Sequence, residues 1–264
     1  MKMQSRPARK STFERRVILN ASAMLLGLVL ATPGLAADLM VSAASSLTNA
    51  FQEIGKAYEK ERPGTRVLFN FGASGQLLQQ ISRGAPTDVY ASADAESMNR
   101  AEQQNLVLRS SRTDFAVNKL LLVAPSDSAL ALETLQDLTK AQVQRIAVGN
   151  PDSVPVGRYA KAALEKAGLW STLEPKYIYT QNVRQSLDYV ARGEVEAAFV
   201  YLTDAAVSAV GVRTAFEVPT EKPIVYPIAA VKGYGNENRA LDFIAYVRSD
   251  AGRKVLDKFG FRRP

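Results

Sequence analysis

From residue 39 onward, apolar positions along the chain follow two alternating periods. Short apolar runs bounded by turn residues predict buried strands, and apolar residues three and four apart predict helices packed by one face. Residues 39–44 form the first run, and Leu47, Phe51, Ile54 and Tyr58 then lie along one helical face. Further strands are predicted over 65–71, 88–93, 119–124, 145–149, 176–180, 194–201, 212–218 and 225–231. Helices are predicted from Ser74, near 95–104, and over 132–138, 156–166, 183–192, 238–249 and 250–260, with Gly168 and Gly193 as helix stops. Such alternation predicts an α/β chain with largely parallel sheets. About nine strands suit two α/β lobes better than one sheet. Polar segments just before Lys119 and around 220–223 are the expected crossings. Residues 37–118 and 224–264 would then form one lobe, and 119–223 the other.

The 264 residues carry a formal charge of +7, which invites a nucleic-acid reading. That reading fails on where the charge lies. Residues 1–36 hold six Lys or Arg and one acid, so five of the seven excess charges sit there, and no basic stripe remains to track phosphates. The same block has the parts of an export signal: a basic start to Arg16, an apolar core over 17–31, and small residues ending at Ala36. Cleavage near Ala36, with Ala37 as the alternative, would leave a mature chain from residue 37. Arg15-Arg16 raises twin-arginine export, although Phe13-Glu14 fits that route poorly. Cysteine and histidine are both absent. This removes thiolate chemistry, the usual general base and the commonest metal ligand, and leaves carboxylate-only enzymes open.

Four predicted helices start directly after strands, at Ser45/Ser46, Ala73/Ser74, Pro155/Val156 and Asn182/Val183. Each start offers free backbone N–H groups and the positive end of a helix dipole, and open α/β sheets take ligands at that edge. Tyr201, ending a strand, adds a phenol. Together these make a cradle of neutral donors suited to an oxyanion that carries no proton. Hydrogen phosphate fits less well, because its own proton needs an acceptor and an unpaired buried group costs about 1–3 kcal/mol. The structural reading stands beside this one: such serines mostly cap helices, a strand-end tyrosine mostly packs, and Arg158 and Arg184 in first turns are mostly solvated. Spacing alone leaves both readings standing.

The ordered motifs add a resemblance. Ala43-Ala44-Ser45-Ser46-Leu47-Thr48-Asn49-Ala50, Phe71-Gly72-Ala73-Ser74-Gly75, Gly84-Ala85-Pro86-Thr87-Asp88-Val89, Ser92-Ala93-Asp94, Val154-Pro155-Val156-Gly157-Arg158, Asn182-Val183-Arg184 and Val200-Tyr201-Leu202-Thr203-Asp204 resemble periplasmic molybdate-binding proteins, the solute receptors of ABC importers. The resemblance implies a two-lobed class II periplasmic-binding-protein fold with its ligand cleft between the lobes. It implies molybdate or tungstate as ligand and no cofactor. The contacts would be the Ser46 and Ser74 hydroxyls, the Val156 and Val183 amides and the Tyr201 hydroxyl. They would meet the metal only through its oxygens. Gly75 stands where a serine is more usual, which keeps the amide and loses a hydroxyl. The implied partner is the membrane permease of an ABC importer, served by a monomer that makes no chemical bond and binds no nucleic acid. Sulfate, smaller at the same charge, should leave donor distances too long.

Other readings compete. An iron(III) receptor would need clustered tyrosines, and Tyr177, Tyr179, Tyr189 and Tyr201 are spread over three separate elements. A sulfate-type receptor shares the oxyanion chemistry. A secreted enzyme would use Asp88, Asp94 or Asp204 as acid or base, although capping is the commoner role of such residues. A signalling effector domain of similar fold fits poorly with an export signal.

Overall fold

Alternation sets Leu39, Val41 and Ala43 on one face of β1 (Ala37–Ala44), and all three are fully buried. A computed structural model describes residue 1, residues 37–207 and residues 211–264; the expected export signal otherwise lies outside the described residues. A 3-10 turn, Ser45–Leu47, leads from β1 into α1 (Thr48–Glu61). Leu47, Phe51, Ile54 and Tyr58 are buried as their spacing predicts. The next elements are β2 (Thr65–Gly72), α2 (Ser74–Ser82), β3 (Val89–Ala91), α3 (Ala95–Gln103) and β4 (Thr113–Asn118). β5 (Leu120–Pro125), β6 (Ile146–Gly149), α4 (Pro155–Lys166), α5 (Trp170–Leu173) and β7 (Tyr177–Thr180) follow. The chain continues through α6 (Val183–Ala191), β8 (Ala197–Tyr201), α7 (Leu202–Val207), β9 (Val212–Val218) and β10 (Ile224–Ala230). It ends with α8 (Glu237–Arg248) and α9 (Asp250–Lys258).

Among the described residues, the strands form two five-stranded sheets, ordered β2-β1-β3-β10-β4 and β7-β6-β8-β5-β9. The chain enters the second sheet between Asn118 and Leu120 and returns to the first between Val218 and Ile224. The two sheets share one plan. Three neighbouring strands run parallel, and a fourth, β10 or β5, pairs antiparallel on both of its sides. This corrects the expectation of largely parallel sheets. β5 and β10 are the first strands after each crossing, so they enter from the opposite direction to the strands of their βα units.

β4 was not predicted, because Thr113–Asn118 mixes exposed Asp114 with buried Phe115 and Ala116 and has no clean period. It pairs with β10 through a bulge at Tyr226/Pro227. The helix expected over 132–138 is a 3-10 turn, Leu135–Thr139, held by a capping box between Thr134 and Asp137. A close approach seats α4. A Cβ added at Gly157 would stand 1.8 Å from Gly149 O, so glycine alone lets this helix begin against the end of β6. Among the described residues, no helix is long and apolar enough to cross a membrane.

Candidate functional site

Three of the four helix starts carry no side-chain cap. Ala44 precedes the 3-10 turn, Ala73 precedes α2 and Val154 precedes α4, and none makes a capping bond. Only Asn182 caps its helix, accepting from the Arg184 and Gln185 amides at 3.0 and 3.1 Å. Val156 and Val183 occupy the first turns of α4 and α6, so their N–H groups have no carbonyl one helical turn back. Ser45 and Ser46 therefore do not serve as caps of α1. Their neighbour Thr48 donates to Ser45 O at 2.7 Å.

These starts converge. One pocket is lined by Ala44, Ser45, Ser46, Gly72, Ala73, Ser74, Ala93, Val154, Pro155, Val156, Val183 and Tyr201. All five residues singled out in the sequence lie in it, from both sheets. Among the described residues, no charged side chain lines it. The cavity is small, about 10 Å³, with room for a single small group. Pockets for drug-sized organic solutes run about 300–1,000 Å³.

The hydroxyls are held from behind. Ser46 Oγ lies 3.0 Å from the Tyr226 hydroxyl, where either oxygen can donate, and Asn118 Nδ2 donates to that same hydroxyl at 3.2 Å. Edge-on packing by Tyr201 and Phe261 fixes the Tyr226 ring. Ser74 Oγ accepts from the Ala93 amide at 3.0 Å, which leaves its proton free to donate elsewhere. Among the described residues, the Tyr201 hydroxyl makes only a long 3.5 Å contact, to Ala93 O. Burial holds its pKa well above the ordinary value, so it remains a proton donor. Tyr226 and Asn118 went unnoticed in the sequence. Tyr226 contacts Ser46 across 180 residues, and no local pattern marks such a pairing.

Both nearby arginines are engaged elsewhere, neither solvated nor turned into the pocket. Arg158 Nε donates to Asp94 Oδ2 at 2.8 Å and Nη2 to Ser97 Oγ at 2.8 Å. Burial opposes the Arg158 charge, but Asp94 outweighs it and raises the guanidinium pKa. Arg184 Nε stands 2.8 Å from Asp204 Oδ1, an ion pair whose two atoms miss hydrogen-bond alignment. Burial pushes the Asp204 carboxyl up to about 6 against the pull of Arg184.

The carboxylates weighed as catalytic groups are engaged as well. Asp88 accepts from the Met40 amide at 2.7 Å and from Asn236 at 3.1 Å. Asp94 caps α3 and pairs with Arg158, and Asp204 pairs with Arg184 and accepts from the Tyr201 amide. Of the four tyrosines an iron site would need, only Tyr201 lines the pocket; Tyr177 donates to Trp170 O. Gly75 keeps its amide, but spends it on Ser153 O at 2.9 Å.

A family model described as bacterial extracellular solute-binding protein matches residues 39–262. Molybdate-binding protein ModA of Haemophilus influenzae is 36% identical over 232 residues, which is 85% of this chain and 90% of that protein. The chain belongs to the bacterial extracellular solute-binding proteins, in the ModA family. A second relative of this solute-binding protein is the putative ABC transporter substrate-binding lipoprotein YvgL of Bacillus subtilis. It is 37% identical over 84% of this chain and 85% of its own length. The Azotobacter vinelandii periplasmic molybdate-binding protein shares the fold, with a TM-score of 0.75 at 24% identity over 86% of this chain and 99% of that one. The two sheets with their covering helices are thus the two lobes of this fold, and the pocket lies between them.

Proposed function

We propose that this chain captures molybdate between its lobes and hands it to the membrane permease of an ABC importer. The observation that carries this is the uncharged pocket. Two hydroxyls, a phenol and two first-turn amides converge on it, while each neighbouring arginine is neutralised by its own carboxylate. The Ser46, Ser74 and Tyr201 hydroxyls and the Val156 and Val183 amides donate to the anion. The dianion is compensated by helix dipoles and oriented amides, so all its oxygens can act as acceptors. A hydrogen phosphate would bring a proton to a lining that offers no carboxylate. Sulfate would sit too far from some donors, and tungstate would bind like molybdate. The names of the relatives support the same ligand.

Capture is a hinge closure of two lobes, residues 37–118 with 224–264 and residues 119–223, pivoting at Lys119 and residues 219–223. The chain works as a periplasmic monomer after cleavage near Ala36, and it makes or breaks no bond. Calorimetric titration of the mature chain with molybdate, tungstate, sulfate and phosphate tests this reading. Saturable binding of the first two alone is expected. Preferential uptake of sulfate or phosphate would overturn it.

A further inference from the structure

The two helices that present Val156 and Val183 each send an arginine from the same first turn toward the opposite lobe. Arg184 Nη2 reaches Ser46 O at a weak 3.4 Å. Arg158 does far more. Its guanidinium spans to Asp94 and Ser97 of the first lobe, with Nη2 as close as 2.6 Å to Asp94 Oδ2, while Nη1 stays anchored to Pro151 O of its own lobe at 3.0 Å. Asp94 is equally prepared. Its Oδ1 accepts from the Ser97 amide and from Ser92 Oγ, which leaves Oδ2 aimed at the arginine. Both partners are mostly buried, with 15% of the Arg158 and 5% of the Asp94 side chain exposed. Close by, the Gly75 amide crosses the cleft to Ser153 O.

We propose that Arg158 and Asp94 form a clasp that holds the lobes shut and sets how slowly bound ligand escapes. Neither residue lines the ligand pocket. The clasp bears on ligand through the pocket reading above, but it is itself a contact between lobes. Two groups, each preorganised in its own lobe, meet with little further ordering, so the pair favours closure without offering a charge to the anion. Truncating one partner of such a pair acts mainly on dissociation.

The test compares wild type with Arg158→Met, Asp94→Ser and the double variant. Serine retains an acceptor for the α3 cap. Hydrogen exchange at the Gly75 amide reports opening directly, with or without ligand. It should quicken in either single variant and no further in the double one, and Arg158→Lys, which keeps the charge without the fork, should fall between. Stopped-flow release of molybdate should quicken about tenfold in the single variants, with the on-rate held within about twofold. Wild-type rates of Gly75 exchange and of release in Arg158→Met would overturn the clasp. If the wild type takes up no molybdate, the oxyanion reading falls and Gly75 exchange alone decides the clasp.

Discussion

Gly75 should set how far the lobes can close. It is the second residue of α2, in the first lobe, and it faces Ser153 of the second. A Cβ added there would stand 2.7 Å from Ser153 O and 2.8 Å from Ser153 Cα, both backbone atoms that cannot rotate aside. Carbon contacts settle at about 3.5–4.0 Å, so in Gly75→Ala the lobes must part by roughly 0.5–1 Å. Val156, Val183 and Tyr201 would then retreat from Ser46 and Ser74 by a similar distance. A hydrogen bond near 2.9 Å stretched past about 3.5 Å is lost, and one to a charged group is worth about 1.5–3 kcal/mol. The expected cost is a rise in Kd of about ten- to hundredfold. The ligand-free chain should behave in the opposite sense. Alanine is the better helix former by about 1 kcal/mol, and an open molecule avoids the clash. Calorimetry gives the affinity and urea unfolding the stability. An unchanged Kd would refute the reasoning. So would a ligand-free variant weakened by more than about 1–2 kcal/mol, which would place the clash within one lobe's packing.

Two further outcomes are expected. Ser46→Ala and Ser74→Ala should each weaken molybdate binding by about 1.5–3 kcal/mol. Each should also cost the fold about 1–3 kcal/mol, since the buried Ala93 amide loses its acceptor in Ser74→Ala and the buried Tyr226 hydroxyl loses a partner in Ser46→Ala; unchanged affinity in both would remove these serines from the site. Asp204 keeps its proton up to about pH 6 when folded and to about pH 4 when unfolded. Between these values the folded state binds more protons, so wild-type stability relative to Asp204→Asn should fall as pH rises through that window and level off above it. Urea melts of both proteins across pH 3.5–8 would show this, and a difference independent of pH would contradict it.

Much of the fold was legible because its signals are local. The run Val212–Val218 carries its own β pattern, and α6 begins at the residue after Asn182, whose side chain is a cap. The helix starts that meet at the pocket were legible for the same reason: a strand, a short turn and an apolar helical face occur within about a dozen residues. What could not be read depends on distant partners. β4 is a strand because β10 pairs with it, and the antiparallel entry of β5 and β10 follows from where the chain crosses. Arg158 finds Asp94 across 64 residues, and Ser46 finds Tyr226 across 180. Asp94 drew notice as a candidate acid because its neighbourhood in sequence is a strand end. Its neighbourhood in space is a guanidinium.

Crystals of the mature chain grown with molybdate provide the most direct measurement, since the anomalous signal of the metal locates it without assumption. The peak should lie among Ser46, Ser74, Val156, Val183 and Tyr201, with the anion's oxygens about 2.7–3.2 Å from those five donors and no arginine or lysine among its contacts. A peak outside this pocket, or an oxygen resting on Arg158 or Arg184, would contradict the uncharged cradle.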